Sequence, residues 1–421
     1  MHRLFRYNLD DPDQSNTWYL VVEIFWASMM AAAATFNSAF ALRLGATNTQ
    51  VGWLTSLPAL LAVLVSIPAG RFLQKRTRRK SWILTALTIY RAGFILVAFV
   101  PWIHLAGINQ GALIIAVLVA ITIPVHFFNV GFLPMLSEVI PEKQRAAVFS
   151  TRNIVYNSAL SIFVFLFGIW LEQIAFPKNY TVMYLFGFGC TIFSLIYLIK
   201  VVVPDSIPTQ ANPVRGLRAR GQDLRSQLIR NKSFIRITIN TILHGMGMWA
   251  VLPLYVLYYV RDLGAEEAWL GLNSTIGSIS MIIGFALWRW LMARWGDYVT
   301  VKRTIILAGL YPMAVALIGS LPLILIATAL NGLITPGINL SHFNTLLKST
   351  PEENRPGYTA LYMTIANLGI FFGPLIGVAL GNRLGFTTAL IICGLASVIG
   401  SSSFWWWPVY HESDLVGNTV V

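Results

Sequence analysis

Charge is scarce in this 421-residue chain: Asp, Glu, Lys and Arg make up 11% of it, against 56% hydrophobic residues. An ordinary soluble domain carries about 25% charged residues, so the soluble class is excluded. Cysteine is nearly absent. Cys190 and Cys393 both sit inside apolar runs, which excludes a disulfide framework and any thiol cluster for a metal. No phosphate-cradling Gly-rich loop, no metal-ligand spacing and no nucleophile elbow occurs, so no enzymatic reaction, no cofactor and no metal is expected. Long polar segments are also missing, apart from one at 204–232, which removes the large soluble appendages that a membrane receptor or scaffold would carry.

What is abundant is apolar sequence in runs of bilayer-crossing length, for which about 20 residues suffice. Such runs lie near 17–42, 51–70, 81–102, 112–136, 150–171 and 181–203, then near 234–260, 269–291, 300–319, 321–346, 358–380 and 385–408. The pattern predicts an all-α membrane protein with twelve transmembrane helices. The second six repeat the first: Pro141-Glu142-Lys143-Gln144-Arg145 returns 210 residues later as Pro351-Glu352-Glu353-Asn354-Arg355, and the same shift carries Asn129 to Asn339 and Asn157 to Asn367. Leu44-Gly45-Ala46 returns as Leu263-Gly264-Ala265 at a shift of 219, so nine residues differ between the halves, most simply in the loop around 103–111. The expected organisation is an N-terminal six-helix bundle at 1–203, a basic cytoplasmic linker at 204–232, a C-terminal six-helix bundle at 233–410 and a cytoplasmic tail at 411–421. Two bundles related by a parallel repeat are one of the architectures of secondary transporters, which place the substrate site near mid-bilayer.

The net charge of +13 orients the chain instead of marking a nucleic-acid binder. With the N-terminus inside, the outer loops hold only Arg43, Lys178, Arg261 and Arg383, whereas the inner loops and the span ends beside them hold 25 basic side chains, Arg152 among them. That asymmetry predicts a multi-pass protein with both termini cytoplasmic, the short loops fitting a bacterial inner membrane. Asp10, Asp11 and Asp13 precede the first apolar run, which is too long for a signal-peptide core, so it is expected to remain as a helix.

After the second run comes Gly70-Arg71-Phe72-Leu73-Gln74-Lys75-Arg76-Thr77-Arg78-Arg79. This resembles the loop signature of the major facilitator superfamily, with Gly70, Lys75, Arg78 and Arg79 matching while Gln74 replaces the acid and Thr77 the second glycine. The corresponding loop of the second half keeps Arg294 and Gly296 and again lacks the acid. The resemblance implies the superfamily's fold and a cytoplasmic latch at these residues, weakened by the missing carboxylate. Gly369, Gly373, Pro374 and Gly377 resemble a Gly-x-x-x-Gly-Pro-x-x-Gly exporter motif, but they stand on the eleventh span where the motif belongs on the fifth, so close helix packing is the expected role.

In that superfamily the first, fourth, seventh and tenth helices line the central cavity. Here they carry Asn37; His126 and Asn129; Asn240 and His244; and Asn331, Thr335, Asn339 and His342, each set at spacings that share one helical face. Asn37, His126, Asn129, Asn240, His244, Asn331, Thr335 and Asn339 are the candidate substrate-binding residues, an interhelical hydrogen bond being the competing role for each. Glu23 and Arg91 are the strongly charged side chains placed within the hydrocarbon, where a partner or water access is required. Glu23 is the candidate for proton coupling. Its alternative is a fixed ionic partner, leaving a uniporter or exchanger. Asn157 and Asn367 are expected to tie each bundle's inner end, and Trp405-Trp406-Trp407 to lie at the interface.

The reading is a monomeric secondary transporter of a small organic solute, neutral or weakly anionic, working by rocking of the two bundles, with lipid and substrate as partners and protons as a candidate coupling ion. Phe127, Phe128, Trp249 and Tyr255 tilt it toward export of an amphiphile over nutrient uptake. A non-transporting receptor is the rival from another class.

Overall fold

In lipid every backbone N–H and C=O must be satisfied within the chain, so apolar runs of this length have helix as their available form. The computed structural model describes residues 12–104, 106–203, 231–351 and 355–410. The basic linker up to residue 230 and the 411–421 tail lie outside the described residues. Among the described residues there are no strands, and twelve helical spans are long and apolar enough to cross a membrane. They are Gln14–Arg43, Asn48–Gln74, Arg79–Trp102, Gln110–Val139, Ala147–Gln173 and Lys178–Lys200, followed by Lys232–Asp262, Glu267–Trp295, Asp297–Ile318, Leu321–Lys348, Gly357–Leu384 and Phe386–Trp406. Only part of the length difference between the halves falls in the expected loop, seven residues against two. Ile103 to Asn109 joins the third and fourth spans, whereas Gly319 and Ser320 alone join the ninth and tenth.

Three of the spans expected to line a cavity are irregular. The first stops at Ala34 and restarts at Asn37. The fourth is interrupted at Ile121, between helices Gln110–Ala120 and Thr122–Val139, because Pro124 lacks an N–H and its ring opposes the carbonyl four residues back. Glycine at position 93 accommodates the offset, since a Cβ there would lie 2.2 Å from Cγ2 of Ile121. The seventh passes from α-helix into a π-turn at Tyr258–Asp262, a geometry that recurs at functional sites.

The described residues form two compact units, the first holding spans one to six with Glu266–Thr275, the second holding the rest. In the first unit, span one packs on spans five and six, and span three on spans four and six. Leu20, Leu84, Leu87, Leu136, Val148 and Leu198 form its core at the end that carries the 75–80 loop. At the opposite end Phe40 stacks on Tyr180 at 4.3 Å, and both are fully buried.

In the second unit, span seven packs on spans eleven and twelve. Glycines permit that approach. A Cβ on Gly377 would meet the Ala250 carbonyl oxygen at 2.0 Å, one on Gly369 the Trp249 ring at 2.0 Å, and one on Gly400 the Leu243 carbonyl oxygen at 2.1 Å. The glycines of the eleventh span are therefore a packing face, as close van der Waals contact between membrane helices requires. Asn157 and Asn367 each donate to the carbonyl four residues back, Asn153 and Met363, at 2.8 Å. They bond to their own helices, so the expected tie between helices is replaced by a local bond repeated in both halves.

Candidate functional site

Buried charge in the first unit is concentrated in two clusters. In one, Glu23 accepts from Nη2 of Arg152 at 2.7 Å and from the Ser194 hydroxyl at 2.9 Å, while Arg91 donates to the same hydroxyl at 2.8 Å and to the Thr191 carbonyl at 3.0 Å. Arg152 also donates to the Leu20 carbonyl. The placement of Arg152 in a loop is corrected here: the helix of the fifth span begins at Glu142, which carries residue 152 into the bundle, where it is 6% exposed. The pairing of Arg91 with backbone carbonyl is found, and it reaches Glu23 through Ser194. In the other cluster, Arg43 grips Glu267 through Nε and Nη2, both at 2.8 Å, and Tyr180 donates to the same carboxylate at 3.0 Å. Glu172 accepts from the adjacent Ala268 N–H at 2.8 Å.

The neutral candidates of this unit are bonded differently. Asn37 accepts from the buried Tyr184 hydroxyl at 2.7 Å. Nε2 of His126 lies 2.9 Å from the Pro58 carbonyl, which only accepts, so that nitrogen carries the proton. Asn129 is exposed.

In the second unit Asn240 is fully buried and donates to the Trp407 carbonyl at 3.0 Å, while its own side-chain oxygen is buried without a partner. Thr335 donates to the Asn331 carbonyl at 2.8 Å, and Asn339 is exposed. Two histidines organise the remainder. The Thr241 hydroxyl donates to Ile237 O and so must accept from Nε2 of His342, 2.7 Å away, with Tyr362 beside the same nitrogen at 3.4 Å. Ser401 donates to Ser397 O and so must accept from Nδ1 of His244 at 2.8 Å, the Ser397 hydroxyl lying 3.0 Å from that nitrogen. These assignments leave Nδ1 of His342 and Nε2 of His244 as acceptors in the neutral ring.

The sequence matches the family model described as Major Facilitator Superfamily over residues 19–239 and again over 237–419. The chain belongs to the major facilitator superfamily. It is similar to an uncharacterized MFS-type transporter, YvqJ, of Bacillus subtilis (strain 168), with 23% identity over 80% of this chain and 79% of that protein. Among solved structures, it superposes on the nucleoside transporter NupG with a TM-score of 0.73 at 14% identity, covering 94% of this chain and all of that one. A bacterial homolog of the human lysosomal transporter Spinster, inward-facing and unoccupied, gives 0.69 at 12% identity over 94% and 96% of the two chains. A POT family transporter gives 0.70 at 14% identity over 93% and 95%. The protein is thus an integral membrane transporter and not an enzyme.

The superfamily's loop signature is altered in both halves, and near each altered loop a carboxylate pairs with a basic residue. Gly70 and Lys75 lie at the end of span two; Arg79, beginning span three, pairs with Glu138 of span four at 3.6 Å. In the second half Gly296 has φ +76°, a value that requires glycine, and the next residue, Asp297, binds Lys348 at 2.7 Å and Asn344 at 3.0 Å. Arg294 lies over the Trp290 ring at 3.8 Å. The sequence reading missed Asp297 because the signature places the acid before the basic residue, not after the glycine. It also missed Thr241, Tyr362, Ser397 and Ser401, whose only signal was helical spacing from the histidines.

Proposed function

We propose that this transporter carries a neutral small organic solute bearing hydrogen-bond donors, and that it works by alternating access as an exchanger or uniporter. The observation that carries the reading is the contrast between the two kinds of buried group. The buried carboxylates among the described residues, Glu23 and Glu267, are each held by an arginine, which leaves no uncompensated buried carboxylate to attract a cation. The polar groups that remain are amides, hydroxyls and histidine acceptors. Such groups favour a solute with hydroxyl or amide N–H groups, because a site built to hydrogen-bond rejects a molecule that leaves its polar atoms unpaired. Proton coupling through Glu23 is disfavoured by its bond to Arg152.

The aromatic residues that pointed to export are engaged with the protein. Phe128 stacks on Phe132 at 4.6 Å, Phe127 lies against Phe72, Trp249 fills the space above Gly369, and Tyr255 packs against Tyr311. Exchange, which has no built-in direction, fits this arrangement better than dedicated export. A panel of neutral solutes tested by thermal shift supplies a labelled ligand for counterflow in proteoliposomes. Counterflow should persist when ionophores collapse every ion gradient, and Thr241→Val should weaken it by about tenfold, the cost of stranding one buried polar partner. Transport that requires an imposed proton gradient would refute the reading.

A further inference from the structure

A cavity of about 510 Å³ opens at the end of the first unit that carries the 75–80 loop, walled by the ends of spans two, three and four. It lies at the altered loop signature, with the Arg79–Glu138 pair in its wall, and includes none of the histidine, amide or Glu23 groups described above. Arg78, Arg79 and Lys80 stand in its wall, and the only carboxylate there is Glu138. Lys80 is fixed by donating to the carbonyls of Ile199 and Val201, both at 2.6 Å, so its charge is anchored at the rim. Arg79 reaches Glu138 with one terminal nitrogen at 3.6 Å, yet its Nε is buried without a hydrogen-bond partner, and Arg78 is exposed. The wall therefore holds three cations against one anion, with guanidinium donors left over.

The rest of the lining is apolar, with Leu73, Ile83, Leu84, Val130 and Met135 forming the floor. Next to the cavity, Ile67, Trp82 and Leu133 are exposed on the same three spans, at 53%, 43% and 60%. Exposed apolar side chains on membrane-crossing helices are the surface that acyl chains cover. A ligand that satisfies both parts has an anionic, oxygen-rich head and hydrocarbon tails. Basic pockets between transmembrane helices at the headgroup level match that chemistry, and arginine forks pair with phosphate oxygens through two parallel N–H bonds.

We propose that this cavity binds the phosphodiester headgroup of an anionic phospholipid, held by Arg78 and Arg79, with its acyl chains running along spans two to four. The site is independent of what the protein transports. Lipid-stripped full-length protein, titrated with phosphatidylglycerol or phosphatidylethanolamine and read by native mass spectrometry, tests it. Phosphatidylglycerol should be retained at least about fivefold more strongly. Arg78→Gln, at an exposed position that folding tolerates, should remove most of that preference, and Glu138→Gln, which deletes the one opposing charge, should increase it. Equal retention of the two lipids would overturn the proposal, as would a preference unchanged in Arg78→Gln or lowered in Glu138→Gln. Displacement of the lipid by millimolar inorganic phosphate would show a site for free phosphate and would overturn the lipid assignment.

Discussion

The Glu23 cluster makes an asymmetric prediction about stability. It contains one buried anion and two buried cations, Arg152 and Arg91, joined through the Ser194 hydroxyl. Glu23→Gln keeps the shape and can still accept from Arg152, but it leaves two guanidinium groups buried together with no counter-charge. Breaking a buried pair by removing one partner costs about 3–5 kcal/mol, and the like charges place this variant at the upper end. Arg152→Met is different. Arg91 already shares Ser194 with Glu23, so a short side-chain movement re-pairs the carboxylate, and the expected cost is about half as large. The double variant should cost less than the sum, by an interaction energy of about 1–3 kcal/mol. Reversible denaturation in detergent, followed by tryptophan fluorescence, measures all three. A larger loss for Arg152→Met than for Glu23→Gln, or strict additivity, would refute the account of a shared anion.

Two further expectations concern the other cluster and the glycine face. Arg43 is 51% exposed and its partner Glu267 only 5%, so Arg43→Ala, which strands a buried carboxylate, should destabilise by about 3 kcal/mol while Glu267→Gln costs less than half of that, both read by thermal melting. Gly377→Ala pushes a methyl group into the Ala250 carbonyl and should collapse the folded yield in size-exclusion chromatography. Gly189→Ala, with nothing within 4 Å, should be neutral or gain about 0.5–1 kcal/mol, and an equal loss in both variants would rule out close packing as the reason for glycine at 377.

The architecture was legible in the sequence because its signals are long. Twelve runs and a repeated Pro-Glu pentapeptide needed no knowledge of packing. The polar site was only half legible. Helical spacing put His244 and His342 on polar faces without showing their hydroxyl partners, and it does not distinguish an amide facing water from one locked to a carbonyl, which is why Asn240, bonded to Trp407 O, looked the same as the exposed Asn339. Arg152 was misplaced for a related reason. Ser150, Thr151 and Asn153 surround it at the start of the apolar run, so it reads as lying at the inner loop until the helix start at Glu142, more than two turns earlier, is known. Glu267 was overlooked because it begins a span, where a carboxylate ordinarily lies in water, whereas here Arg43 and Tyr180 enclose it.

The pairs Arg79–Glu138 and Asp297–Lys348 bear on the history of the chain. Glu138 and Lys348 occupy the same place in the two copies, 210 residues apart, and each meets a residue at the start of the preceding span. The two copies thus hold an ion pair at the same place with opposite polarity. Converting one order into the other by single substitutions passes through a state with like charges opposed or one charge unmatched. For partly exposed pairs that step costs only about 0–1 kcal/mol, so drift crosses it easily. The return is blocked more by bookkeeping than by energy, since recombination that copied Glu138 onto position 348 would set it against Asp297. Each half has thereby become a fixed counterpart of itself, and the two copies, though still recognisable as repeats, are no longer interchangeable parts.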